Sequence, residues 1–181
     1  EQFKKELDEI YAFAKNPTRE QIKIAQFWAD WVGTYTPPGH WNAIAPDEFV
    51  TMNLSEVRWA RNMALLNMAM MDAAIACWDA KYFYFNPRPF QMDNRIKTVV
   101  GLPNFPSYTS GHSTFSGAAA AVLGHLVKGK QALWNDMANE ASISRMYGAI
   151  HYRSDCEQGL ICGKRVGGFA VTRAQDDGAG D

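Results

Sequence analysis

The chain has 181 residues, 47% of them hydrophobic and 20% charged, with a formal net charge of −1. That length supports a sizeable core, and the composition is ordinary for a globular protein rather than a disordered or fibrous one. The near-zero charge excludes partners held by bulk positive charge, nucleic acid among them. Cys77, Cys156 and Cys162 are too few and too scattered for a disulfide framework and read as small buried apolar residues.

Helical periodicity dominates from the start. Phe3, Leu7, Ile10, Tyr11 and Phe13 form one apolar stripe over 2–15. Asn16-Pro17 interrupts it, Thr18 supplies an N-cap, and a second helix is expected over 19–32, closed by Gly33. Thr36-Pro37-Pro38-Gly39 reads as a rigid loop, with Pro46 soon after. Ser55 caps a long helix that runs from Val57 past Lys81 and ends near Asn86, because Pro87 and Pro89 disfavour its continuation. Residues 101–109 form a Pro-rich loop. Ser110 then starts an Ala-rich helix to about Val127, and further helices are expected over 131–150 and 154–174 before a frayed tail at 178–181.

Met63, Met68, Met70 and Met71 read as core filling, His125 as a satisfied core histidine, and His40 as a buried packing residue near the Pro-Pro-Gly turn. No strand-like alternation or internal repeat is present. No stretch of about 18 uncharged apolar residues reads as a membrane span. The chain opens with Glu1 rather than Met, so a processed or trimmed piece is expected. The expected architecture is all-α, a single helical bundle over 1–181 with two functional loops.

Three clusters carry chemistry. Lys81 is followed by Arg88-Pro89, with Arg88 expected in an extended turn where its fork can grip an anion. Ser110-Gly111-His112 sits at a helix start, where outward N–H groups make a ready anion site and His112 can donate a proton. Ser144-Arg145 precedes His151 and Asp155. The latter pair is four apart, so on a continuous helix the carboxylate takes the Nδ1 proton and leaves Nε2 basic and outward. Each cluster alone reads as ordinary: solvated basic residues, a Ser cap, a surface His–Asp pair. Together they supply three cations, a helix N-terminus, a nucleophile and a proton donor, the inventory for phosphoryl transfer without a divalent metal. No Cys or His set has zinc-ligand spacing.

The pattern resembles the three-part signature of the type 2 phosphatidic acid phosphatase superfamily, which holds acid phosphatases, lipid phosphatases and vanadium-dependent haloperoxidases. It spans 81–155 and agrees in order, spacing and identity at Lys81, Arg88, Pro89, Ser110, Gly111, His112, Ser144, Arg145, His151 and Asp155. The resemblance implies the helical bundle of that superfamily. It implies His151 as the nucleophile that becomes a phosphohistidine, with Asp155 orienting it. His112 protonates the leaving alcohol and then activates water, while Lys81, Arg88, Ser110, Gly111 and Arg145 hold the phosphoryl oxygens.

Such a phosphatase needs no cofactor. In the haloperoxidase branch the same pocket holds vanadate, with His151 as the metal ligand, and oxidises halide with peroxide. Two departures stand out: Thr109 replaces the usual Pro before Ser-Gly-His, and Pro87 replaces a Trp that haloperoxidases often carry before Arg-Pro. Thr36 to Trp41 and Phe105 to Tyr108 resemble the soluble haloperoxidase-type branch, in which Trp78 and Phe105 match pocket-lining positions.

The first reading is phosphate monoester hydrolysis, because it needs nothing beyond the oxyanion shell. The alternatives are a vanadium haloperoxidase acting on halide and peroxide, and a non-catalytic oxyanion-binding helical module. The expected partners are small molecules, not nucleic acid, with oligomeric state left open. By analogy with the family, the setting is periplasmic or extracellular.

Overall fold

The computed structural model describes residues 1–179, which are helical throughout their ordered elements and contain no strand. The helices are α1 (Gln2–Lys15), α2 (Arg19–Phe27), α3 (Thr36–Phe49), α4 (Glu56–Tyr84), α5 (Pro89–Met92), α6 (Gly111–Leu126), α7 (Gln131–Tyr147) and α8 (Arg153–Asp176), with a 3₁₀ turn at Val50–Met52.

Capping chemistry sets several of these boundaries. Thr18 and Gln21 form a reciprocal capping box at the start of α2. The Ser55 hydroxyl accepts from the Arg58 N–H at 3.3 Å to start α4, and Phe85 closes that helix in the left-handed region, next to Asn86 as expected.

α6 is the axis of the fold. It packs along α8, α7 and α4 and is buried nearly all round, as its uninterrupted apolar and small side chains require. The main core joins Trp28, Trp41, Phe49, Leu66, Met70, Leu123 and Trp134, and the Trp41 indole N–H donates to Ser116 Oγ at 3.0 Å. A second cluster under α1, built from Ile10, Ile96, Met146, Ala149 and Cys156, supports the turn between α7 and α8.

Several expectations need correction. The proposed loop at 36–39 is the first turn of α3: Pro37 and Pro38 occupy the opening positions, where a missing N–H costs nothing and a fixed φ helps. α2 stops at Phe27 rather than 32, because Trp28 leaves helical geometry and Asp30 takes φ 44. α7 ends at Tyr147, three residues before the expected end, followed by Ala149 at φ 58. Only Met70 of the methionine run is in the core; Met63 is half-buried, while Met68 and Met71 are exposed because that face of α4 meets no other described helix. His125 is half-buried at a surface groove beside Arg61 and Leu126, and Cys162 is half-buried.

The region Glu56–Met92 does contain an 18-residue window with mean hydropathy 1.2, long and apolar enough by composition to cross a membrane. Its packing against α6 and α8 gives one side of that apolarity a place in the core. Of the expected tail, 178 and 179 are irregular and 180–181 lie outside the described residues.

Candidate active site

The three clusters converge at one end of the bundle. Lys81 comes from the last turn of α4, Arg88 from the extended residue that caps α5, and Arg145 from the last turn of α7. Ser110, Gly111 and His112 open α6, and Asp155 lies in the first turn of α8. The backbone ties the last two helix starts together, since the Ser110 N–H donates to the Asp155 carbonyl at 3.0 Å.

His151 precedes α8 rather than lying on it, so the expected continuous helix is absent. The contact forms by another route. Asp155 is the third residue of α8 and its Oδ2 turns back to accept from the Tyr152 N–H at 3.1 Å, which aims the carboxylate at the preceding turn. There it meets His151 Nδ1 at 2.9 Å. Ser107 Oγ also donates to the same oxygen.

The tautomer of His151 follows from its other neighbour. Arg88 Nη1 lies 3.0 Å from His151 Nε2, and a guanidinium can only donate. Nε2 is therefore the acceptor, and Nδ1 carries the proton that Asp155 receives. Burial pushes the His151 pKa well below its ordinary value, reinforced by Arg88, Lys81, His112 and Arg145. Burial raises the Asp155 carboxyl, against the Ser107 and Tyr152 hydrogen bonds and the nearby cations.

The cations are less free than the sequence implies. Lys81 donates to the carbonyls of Pro106, Ser107 and Thr109, which occupies all three of its protons. Arg88 donates to the carbonyls of Phe105, Pro106 and Ile150 as well as to His151. Arg145 donates to Ser144 Oγ and the Ala25 carbonyl. Burial lowers Lys81 to about 8 and both Arg88 and Arg145 to about 10, so all three stay charged at neutral pH. Lys81 Nζ and Arg88 Cζ each lie 5.2 Å from the Phe105 ring centroid, a cation–π distance. Ser110 Oγ accepts from the Ser113 N–H at 3.3 Å and thus caps α6.

A cavity of about 490 Å³ opens over this cluster. Gly111, His112, Arg145 and His151 line its floor together with Asp30, while Trp31, Val32, Trp78, Phe105 and Phe115 line its walls. Trp78 and Phe105 face each other with ring centroids 5.4 Å apart. His40 is absent from the lining and lies behind it, buried, with Nδ1 3.0 Å from Asp30 Oδ1. His112 Nε2 approaches Asp30 Oδ2 at 3.5 Å. Burial and then Arg145 bring the His112 pKa down to about 4, against the pull of Asp30. Two residues of this constellation, Ser107 and Asp30, were not picked out in the sequence. Ser107 lies in the loop already marked out there, but Asp30 has no motif around it.

Several known proteins are similar to this chain in sequence or fold. Vanadium chloroperoxidase from Curvularia inaequalis is 25% identical over 130 residues, 56% of this chain and 21% of that protein. A bacterial vanadium-dependent iodoperoxidase of known structure is 35% identical with a TM-score of 0.85, over 94% of this chain and 49% of its own. LpxE from Aquifex aeolicus shares the fold at a TM-score of 0.71 and 20% identity, over 92% of this chain and 94% of its own. The chain thus spans about half the length of the iodoperoxidase and about a fifth of the chloroperoxidase. The model of the PAP2 superfamily matches residues 62–178, a stretch that contains all three clusters, and the chain belongs to that superfamily.

Proposed function

We propose that the chain hydrolyses phosphate monoesters by transferring the phosphoryl group to His151 and then to water. One observation carries this reading: the His151 imidazole donates its Nδ1–H to Asp155 Oδ2 and keeps an unprotonated Nε2 beside the Arg88 guanidinium. A nitrogen nucleophile is thereby oriented, kept neutral and set next to the charge that attracts its target. Arg88, Arg145 and the α6 N-terminus at Ser110 and Gly111 offset the phosphoryl charge. Lys81 adds its charge while holding the 106–109 loop in place. His112 supplies the proton to the leaving oxygen and recovers one from water. The aromatic and aliphatic cavity walls favour an ester whose alcohol is apolar or aromatic.

A second reading is supported by the 35% identity to the iodoperoxidase. Vanadate is a near-isostere of phosphate, and the donor set fits it: His151 Nε2 would hold the vanadium, with Arg88, Arg145 and the α6 start on its oxygens. Bound there, it would supply Lewis-acid activation of peroxide for halide oxidation.

A paired assay on one preparation tests both. Turnover of an aryl phosphate that falls by about a thousandfold or more in His151→Ala supports the phosphatase. Dye halogenation with vanadate, peroxide and bromide, and no phosphate release, supports the second reading instead. Phosphate binding with neither activity makes the chain an anion-binding module.

A further inference from the structure

Asp30 lies between α2 and α3, far in sequence from the signature, yet it touches the site. Its side chain is 4% exposed, its backbone sits at φ 44, and its neighbours are two imidazoles. His40 Nδ1 is 3.0 Å from one carboxylate oxygen and 3.2 Å from the other. His112 Nε2 is buried, closes no hydrogen bond and lies 3.5 Å from Oδ2, with the Trp28 backbone as the other acceptor acting on the ring.

A buried carboxylate without donors is costly, and a carboxylate can only accept. His40 must therefore carry its proton on Nδ1. Its ring is itself fixed, with centroids 4.4 Å from Trp28, 5.0 Å from Phe27 and 5.3 Å from Tyr35. Burial works to raise the Asp30 pKa, but His112 and then His40 outweigh it and bring it down to about 2, so the carboxylate facing His112 is ionised at neutral pH.

We propose that Asp30, oriented by His40, is a positioning residue for His112: it holds the Nε2–H so that Nδ1 faces the leaving oxygen. This rests on the phosphatase reading. As the ester P–O bond breaks and the P–N bond to His151 forms, the electron pair of the broken bond stays on the alcohol oxygen. The charge of the bound ester offsets Arg145, which adds to burial in holding the His112 pKa down, so His112 takes up a second proton on Nδ1. That proton moves to the alcohol oxygen, leaving a neutral imidazole whose Nε2–H still faces Asp30. Nδ1 then takes a proton from the water that attacks the phosphohistidine. The site thus has two carboxylate–imidazole pairs. Asp155–His151 at 2.9 Å serves attack, and Asp30–His112 at 3.5 Å serves departure.

The test compares an alkyl phosphate, whose alcohol must be protonated to leave, with nitrophenyl phosphate, whose phenolate leaves unaided. Asp30→Asn and His40→Phe are expected to lower kcat about ten- to a hundredfold more for the alkyl ester than for the aryl one. His40→Asn, which keeps an N–H donor near the position of Nδ1, is expected to recover most of the alkyl rate. Equal losses on both esters, in variants that melt like the parent, overturn the proposal. A second readout is independent of turnover: ¹⁵N-histidine NMR, assigned by single substitutions among the four histidines. It is expected to show the Nε2–H tautomer of His112 in the parent and its loss in Asp30→Asn. An unchanged tautomer overturns the proposal. If the parent hydrolyses neither ester, the phosphatase reading fails and the tautomer measurement alone decides the role of Asp30.

Discussion

His112 and His151 are kept uncharged by burial beside three cations, and this couples the site to the stability of the protein. His112 titrates at about 4 in the folded chain against an ordinary 6.5. Between those values the unfolded state binds more protons, so stability is lost as pH falls from 6.5 toward 4 and is unaffected above 6.5. His151 is shifted in the same direction; Asp155, held above its ordinary 3.8, acts the opposite way near the bottom of the window. Urea denaturation at pH 7 and pH 5 should show a loss of about 2 kcal/mol from His112 at the lower pH, with His151 adding to it in the same direction. His112→Gln should lose less, and equal midpoints at both pH values would contradict the neutral-imidazole description. The residues that could be read in the sequence are those whose partners lie close along the chain or in a motif, such as His151 with Asp155. Ser107 and Asp30 could not be found this way. They meet Asp155 and His112 only through the tertiary fold, and a lone Ser or Asp in a loop carries no periodic or spacing signal.

At the scale of elements, the seam between α6 and α8 sets the spacing between His112, in the first turn of α6, and His151, just before α8. Gly159, Gly163 and Gly167 recur every four residues on α8 and face α6. A Cβ on Gly163 would lie 2.0 Å from the Thr114 carbonyl oxygen, and one on Gly159 would lie 2.9 Å from that of Ser110. Gly163→Ala must push the helices apart, at a cost of about 1–3 kcal/mol, and should lower Tm by about 3–10 °C. Gly168→Ala, on the same helix with open space around it, should leave Tm unchanged or slightly raised. If the two variants melt alike, close packing at the seam is not what holds it. Helix existence was legible here because stripes and caps are local signals. The start of α3 was not, since Pro37-Pro38 reads equally as a loop or as a first helical turn until Trp41, Ala45 and Phe49 are seen to need a core. The α8 glycines were legible as spacing only, because nothing local names the helix they face.

At the scale of the molecule, a net charge of −1 conceals three buried cations gathered at one end of a helical bundle. Concentrating positive charge in a low-dielectric pocket disfavours the folded state until an anion offsets it. Inorganic phosphate at a hundred times its dissociation constant should therefore stabilise the chain by about 2.7 kcal/mol, raising Tm by about 5–10 °C. Chloride at equal ionic strength should not, and a phosphate-independent Tm would count against an oxyanion pocket. The carbonyls gripped by Lys81 and Arg88 belong to Phe105, Pro106, Ser107, Thr109 and Ile150, and Phe105 and Ile150 line the cavity, so part of its lining is tied to a buried cation. An anion that drew a donor away from these carbonyls would loosen that lining. Neutralising the buried charge and relaxing the lining would then be one event, which a neutral molecule could not drive however well it suited the aromatic walls.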